Sequence, residues 1–284
     1  MKWHTWWREN QWAAYLEHME LPVRASSKQA LRDLEASRGD LLAASELADL
    51  LLDDPLFALR LLKDANQRLP RRLARDITTP LGVVMALGTE QFRHQLDAAP
   101  EVDTSNTGLL KCESRAVLSA RIAMSLAGLH FDLDPGELAL ATLLSNAGEL
   151  ELWAFAGELP QAARDELASG RAQRSDQAQL QACGFAFKNL TLLLIEHWNL
   201  PPLIRQLIRG DEGQRAQLAR LSRDMARHIS HGHRDPALPD DVRIAARLTH
   251  ARPETVIQAL PRLDEADKAA LTQAMNAPGG NADA

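Results

Sequence analysis

The sequence has few cysteines, few aromatic residues and no long apolar run, and each shortage excludes a class of protein. Its two cysteines, Cys112 and Cys183, lie far apart and outside any Cys-x-x-Cys spacing. The sequence therefore predicts neither a disulfide framework nor a zinc ribbon. No apolar run approaches the roughly 18 residues needed to cross a bilayer, and residues 1–8 contain no apolar signal segment. We expect a cytoplasmic protein without a membrane span.

Positive charge is also scarce. The chain has 32 Lys and Arg residues against 38 Asp and Glu, a formal net charge of -6. Because non-specific nucleic-acid affinity needs many basic contacts to phosphates, this balance makes a nucleic-acid partner the less favoured interpretation. One local patch keeps a nucleic-acid-binding regulator open as an alternative. Arg71 and Arg72 lie in a basic connector that could contact nucleic acid, an anionic surface or an acidic partner protein.

Helical periodicity dominates the chain. Aromatic residues make up only 5% of it, and almost every segment between turn signals repeats its apolar residues with the spacing of a helix. Asp54 and Pro55 give a helix start, since the carboxylate can cap free N–H groups and proline suits the first helical position. The sequence predicts an all-α protein. Helices are expected from Leu47, from Pro55 and over 27–38, 80–87, 89–98, 113–129, 136–145, 147–156, 160–169, 185–198, 201–209, 213–231, 240–249, 254–260 and 264–275.

Three segments resemble one known family. The run from Glu46 to Asn66, ELADLLLDDPLFALRLLKDAN, is similar to the pattern E-L-A-x-L-I-x-x-D-P-x-L-x-x-x-L-L-x-x-A-N of the HDOD family. Residues 80–88 resemble its A-I-x-x-L-G helix, and Gly184 to Pro201 resemble its G-x-x-H-x-x-x-G-x-x-L-L-x-x-W-x-L-P element. The resemblance implies a multi-helix, HD-domain-like architecture. It also implies a bacterial signalling module. HDOD proteins are related to HD phosphohydrolases, but most of them have no demonstrated catalysis.

The metal-binding positions of the HD superfamily are altered here. Where that superfamily has L-L-H-D-I-G, this chain has Ser145 and Asn146 within Leu143–Gly148. The resemblance further places Glu113 and Phe187 at two histidine positions. A hydroxyl, an amide and a phenyl ring are poor ligands for a divalent cation. We therefore expect a degenerate pocket formed by Glu113, Ser145, Asn146 and Phe187, either open to a ligand or filled, with no catalytic residue, metal or cofactor.

The amino-terminal segment is rich in tryptophan. Trp3, Trp6 and Trp7 have i, i+3, i+4 spacing and form a stripe if the segment is helical. Tryptophan is enriched in binding hot spots, so these residues are candidate contacts for a partner protein, although the stripe could instead dock on the chain's own helices. We expect four regions: a Trp-rich N-terminal helix over 1–20, an HDOD domain over 21–235 with subdomains 21–100 and 108–235, C-terminal helices over 236–275, and a disordered tail over 276–284.

A histidine cluster at His228, His231 and His233 leaves a second site open. His228 and His231 could share a helix face and bind zinc or nickel, or they could simply interact favourably with a helix C-terminus. The favoured function is a non-catalytic regulatory module that binds a partner protein and possibly a small ligand. The alternative enzyme would be a metal-dependent phosphohydrolase or cyclic-nucleotide phosphodiesterase with a rearranged site.

Overall fold

Helices form nearly all the regular structure of the computed structural model, which describes residues 6–68, 70, 77–210, 213–232 and 234–276. Within these ranges there is no β-strand, only an isolated bridge between Val23 and Glu101, and the all-α prediction is confirmed. The amino-terminal helices are α1 (Glu9–Leu16), α2 (Ala25–Arg38), α3 (Ala44–Leu52), α4 (Pro55–Arg68), α5 (Pro80–Leu87) and α6 (Thr89–Ala98).

The remaining helices follow at short intervals. They are α7 (Thr107–Ala127), α8 (Pro135–Leu144), α9 (Ala147–Phe155), α10 (Glu158–Ala168), α11 (Ser175–Cys183), α12 (Phe187–His197), α13 (Pro202–Arg209), α14 (Gln214–His231), α15 (Leu238–Thr249), α16 (Pro253–Ala259) and α17 (Glu265–Asn276). Among the described residues, no helix is both long enough and apolar enough to span a bilayer.

Asp54 starts α4 as predicted and also holds α2 in place. Its carboxylate accepts hydrogen bonds from the backbone N of Phe57 at 3.0 Å and from the backbone N of Arg24 at 2.8 Å. The Ser27 hydroxyl donates to it at 2.8 Å. Burial raises the pKa of this carboxyl, against the effect of these hydrogen bonds. A single buried side chain thus fixes the start of one helix against the start of another.

Two apolar cores share the long helix α7. The first core joins the amino-terminal helices to the first half of α7 and to α9 and α12. The second joins the second half of α7 to α14, α15 and α16, with Leu126, Met225 and Val242 all fully buried. The helices after residue 236 therefore pack directly on α7 and α14 through apolar side chains. Burial of these side chains is the main contribution to the stability of the contact.

The amino-terminal helix is shorter than predicted. α1 covers only Glu9–Leu16, so Trp6 and Trp7 precede it, and Trp3 lies outside the described residues. The Gln11 side chain accepts the backbone N–H of Arg8 at 3.0 Å, which marks Arg8 as the capping position at which the helix begins. The expectation of a tryptophan stripe on one helix face is therefore wrong for Trp6 and Trp7. The predicted tail over 276–284 falls, beyond Asn276, outside the described residues.

Candidate functional site

A cleft of about 810 Å³ lies among α7, α9, α11, α12 and α14. Ser145, Asn146 and Phe187 all line it, together with Arg115 and Thr191. An adjoining lobe of about 540 Å³ shares most of its walls and extends toward α10. The structure therefore brings together three of the four residues predicted for the degenerate pocket, and the space between them is open.

Gly148 explains why α9 lies against α12 at this point. Its backbone N donates to Thr191 Oγ1 at 3.0 Å, and the same hydroxyl donates to the carbonyl of Phe187 at 3.1 Å. A Cβ atom at position 148 would lie 2.9 Å from both the carbonyl oxygen of Phe187 and the backbone N of Thr191. Only glycine permits this approach. The contact places Asn146, immediately before α9, beside the first turn of α12.

The donor atoms at the predicted metal positions do not fit a catalytic metal. The Ser145 hydroxyl is directed to the carbonyl of Thr142 at 2.7 Å, and its side chain is buried. Asn146 offers an amide and Phe187 offers a hydrocarbon ring. Throughout the described part of the chain, no three His, Cys, Asp or Glu side chains are grouped so that they could hold a metal ion. Zinc and related ions require several imidazole, thiolate or carboxylate ligands converging on one point.

Glu113 lies elsewhere, which corrects the predicted pocket. Its carboxylate is fully buried and accepts a hydrogen bond from Arg24 Nε at 2.9 Å. Burial raises the pKa of Glu113 to about 7, Asp54 also raises it, and Arg24 opposes both. The cleft is lined instead by Arg115, two residues further along α7. Since two residues correspond to roughly 200° around a helix, Glu113 faces away from the cleft.

Arg115 and Glu149 form an ion pair inside the cleft. Arg115 Nη2 donates to the two carboxylate oxygens of Glu149 at 2.8 and 2.9 Å. Glu149 raises the pKa of the Arg115 guanidinium. Burial, with a further contribution from Glu149, raises the pKa of the neighbouring Cys112 thiol. Glu151 does not join this pair. It is fully buried, burial raises its pKa well above the ordinary value, and Lys63 opposes that shift. The two carboxylates therefore do not form an acid–base pair.

The basic residues of the cleft were not among the site residues predicted from the sequence. Arg223 and Arg227 line the cleft from α14 and Arg220 lines the adjoining lobe. Their i, i+3, i+7 spacing places all three on one helix face. Lys188 lines the cleft from α12. The spacing on α14 was a usable signal, but nothing local in the sequence indicates that this face meets Ser145 and Asn146.

The other candidate residues are scattered. Trp6 is 90% exposed, whereas Trp7 is half-buried and packs edge-on against Trp12 with ring centroids 5.1 Å apart. His228 Nδ1 lies 2.6 Å from Asp241 Oδ2, and His231 lines the rim of the cleft. Arg71, Arg72 and His233 lie outside the described residues.

Known proteins resemble this chain in sequence and in fold. A family model for the HDOD domain matches residues 28–212. A virulence factor from Campylobacter jejuni subsp. jejuni has a similar structure, with a TM-score of 0.65 and 18% identity, covering 89% of this chain and 96% of that one. The MmoQ response regulator from Methylococcus capsulatus str. Bath gives a TM-score of 0.65 and 19% identity over 86% of this chain and 99% of its own. No curated protein matches the sequence.

Proposed function

This chain belongs to the HDOD-domain family, and from that premise we propose that it is a non-catalytic regulatory module of bacterial signalling. It works in the cytoplasm by recognising a partner protein and a small ligand. From the resemblance of its motifs, we take the cleft to correspond to the metal site of HD phosphohydrolases, and we propose that it recognises molecules there without hydrolysing them.

One observation carries this proposal. The three residues that meet in the cleft at the expected metal positions, Ser145, Asn146 and Phe187, are a hydroxyl, an amide and a hydrocarbon ring. The nearby carboxylate, Glu149, is held by Arg115 at 2.8 Å. Metal-assisted hydrolysis needs an ion that polarises the phosphoryl group and activates water. This set of side chains offers neither the ligands nor a free general base.

The description of one similar protein supports a regulatory role. MmoQ is described as a response regulator, and the Campylobacter protein as a virulence factor. We propose that this chain likewise transmits a signal through binding.

Trp6 is our candidate for a partner contact. It is 90% exposed while its neighbour Trp7 is held against Trp12, so a large apolar ring is presented on an anchored segment. Exposed tryptophans of this kind are enriched among binding hot spots. Trp3, Arg71 and Arg72 remain candidate contacts on the sequence evidence.

A hydrolysis assay tests the non-catalytic proposal. The full-length chain is incubated with linear and cyclic nucleotides in Mn²⁺, Mg²⁺ or Ni²⁺, and we expect no release of phosphate and no ring opening above the buffer rate. The Asn146→Ala variant is the matched control, because Asn146 lines the cleft. Turnover by the wild type that this variant loses would overturn the proposal.

A further inference from the structure

The cleft is strongly basic although the chain as a whole is acidic. Among the described residues that line the cleft and its adjoining lobe, seven are Lys or Arg and three are Asp or Glu, whereas the chain carries a formal net charge of -6. The basic residues come from five separate parts of the chain: Arg115, Arg164, Arg174, Lys188 and the α14 set Arg220, Arg223 and Arg227. Tertiary folding has therefore concentrated positive charge at one place.

The cleft's own carboxylates leave much of this charge uncompensated. Glu149 is paired with Arg115 at 2.8 Å and Asp224 with Arg227 at 2.9 Å. Asp176 accepts the backbone N of Gln177 at 2.9 Å. Arg174, Arg220 and Arg223 have no ion-pair partner in the part of the chain that the structure describes. Like charges that line one cleft repel one another, so the arrangement costs stability unless something negative binds between them.

Arg223 is the clearest example of a cleft cation whose charge is not compensated. Its Nε is buried and has no hydrogen-bond partner among the described residues. Burial lowers its pKa, with Arg220 and Arg227 acting in the same direction against Asp224. A guanidinium is a planar donor suited to two oxygens of one phosphate. A buried Nε without an acceptor, on a side chain that lines the cleft, is a donor available to an anionic ligand.

We infer that the cleft binds a small molecule carrying two or more phosphate groups, held by the arginines of α14. The cleft volume of about 810 Å³ falls within the range of small-molecule sites. Leu167 and Phe187 give it an apolar wall, and Asn146 and Gln179 supply amide groups. A nucleoside diphosphate satisfies both the charge and the mixed character of these walls.

Calorimetric titration of the full chain in EDTA tests this inference, with inorganic pyrophosphate, ADP and adenosine as probes. We expect pyrophosphate and ADP to bind, with affinity that falls as salt rises, and adenosine not to bind. Tighter binding of ADP than of pyrophosphate means that the cleft also contacts the nucleoside. Equal binding means that it reads the phosphates alone. Both results support the inference, and failure of both phosphorylated probes to bind overturns it.

Variants of α14 locate the binding. Arg220→Gln with Arg223→Gln should weaken ADP or pyrophosphate binding about a hundredfold, since each lost charge-assisted hydrogen bond costs about tenfold or more. Arg215→Gln is the matched control, because Arg215 lies on the same helix but pairs with Glu137 at 3.5 Å. If the glutamine variant does not fold, Arg220→Lys with Arg223→Lys keeps the charge and removes the planar donors. Unchanged affinity in the folded double variant overturns the inference.

This inference rests on the proposed function, since it assigns a ligand to the cleft that we propose is non-catalytic. The two can fail separately. Absence of binding leaves the chain a non-catalytic module with no ligand in this cleft, whereas binding followed by hydrolysis removes the non-catalytic proposal and keeps the phosphate site.

Discussion

Glu113, Arg24 and Asp54 form a buried charged group that joins α2 to α7. Arg24 donates through Nε to Glu113 at 2.9 Å, while its backbone N donates to Asp54 at 2.8 Å. Both carboxyl groups are fully buried, so one arginine faces two acids in a medium that disfavours charge. Burial accordingly raises the pKa of both acids. Glu113 therefore helps to hold α2 against α7 and does not line the cleft, in contrast to the prediction.

Glu113→Gln should flatten the pH dependence of stability. The folded state holds the Glu113 proton up to a pKa of about 7, against 4.5 for an ordinary glutamate. The folded chain therefore binds more protons between these values, and stability falls as pH rises through them. From about pH 5 to about pH 7.5 the wild type should lose about 2 kcal/mol more than the variant. Urea unfolding at the two pH values measures the difference.

Glu265→Gln is the control for this pH test. Glu265 is an acid with an 83% exposed side chain, and its replacement should leave the pH slope of the wild type unchanged. Equal slopes for the wild type and Glu113→Gln would show that Glu113 keeps its charge in the folded state and would contradict the assignment.

Some individual residues could be read from the sequence and others could not. The role of Asp54 was predicted because capping depends on residues a few positions away. The shared pocket of Ser145, Asn146 and Phe187 was predicted because each belongs to a family motif, and the fold brings the two motifs together. Glu113 was misplaced because a motif position does not fix which side of a helix faces the cleft. The cleft cations were missed because only tertiary packing brings them together.

Among the helices, the contact of α9 with α12 decides the shape of the cleft. Gly148→Ala should destabilise the protein by about 1–3 kcal/mol, because the added Cβ would lie 2.9 Å from backbone atoms of Phe187 and Thr191. Gly157→Ala is the control, since a Cβ there would meet nothing closer than 3.4 Å, and it should change stability by about 0.5 kcal/mol or less. Chemical denaturation of both variants measures this, and equal effects would contradict the close packing.

The docking of α1 on α12 gives a second prediction for the helices. Trp12 is 1% exposed and Arg8 donates to the carbonyl of Gly184 at 2.7 Å, so α1 is part of the fold. Trp12→Ala should cost about 3–5 kcal/mol of unfolding free energy, whereas Trp6→Ala should cost about 0.5 kcal/mol or less. Thermal unfolding compares them. A large loss for Trp6→Ala would mean that its ring is a packing residue and not a free contact surface.

Helix boundaries were predictable where a cap marked them. α5 and α6 begin and end where the sequence predicted, because Thr79 accepts the backbone N of Gly82 at 3.0 Å and Gly88 separates the two helices with a positive φ of 81°. α11 was missed since only Ala178 of its residues is buried, which leaves little apolar periodicity. α7 starts earlier than predicted, at Thr107, where Asn106 caps it through Leu109 N at 3.0 Å.

For the whole molecule, the cleft lies where the two apolar cores meet. α14 contributes Met225 to the second core and Arg223 to the cleft, while α12 contributes Leu194 to the first core and Lys188 to the cleft. The long helix α7 belongs to both. The arginines of α14 are therefore fixed by the second core, whereas Phe187 and the residues next to Ser145 and Asn146 belong to the first, a relation that no local sequence pattern predicts.

Titration of Mn²⁺ into the metal-free full-length protein tests whether the cleft has lost its capacity to hold a catalytic metal. We expect no stoichiometric binding below millimolar concentrations, because the cleft presents a hydroxyl, an amide and a phenyl ring at the predicted metal positions, while Glu149 is paired with Arg115. Binding of one or two Mn²⁺ ions per chain that Asn146→Ala abolishes would contradict it and would identify the cleft as a working metal centre.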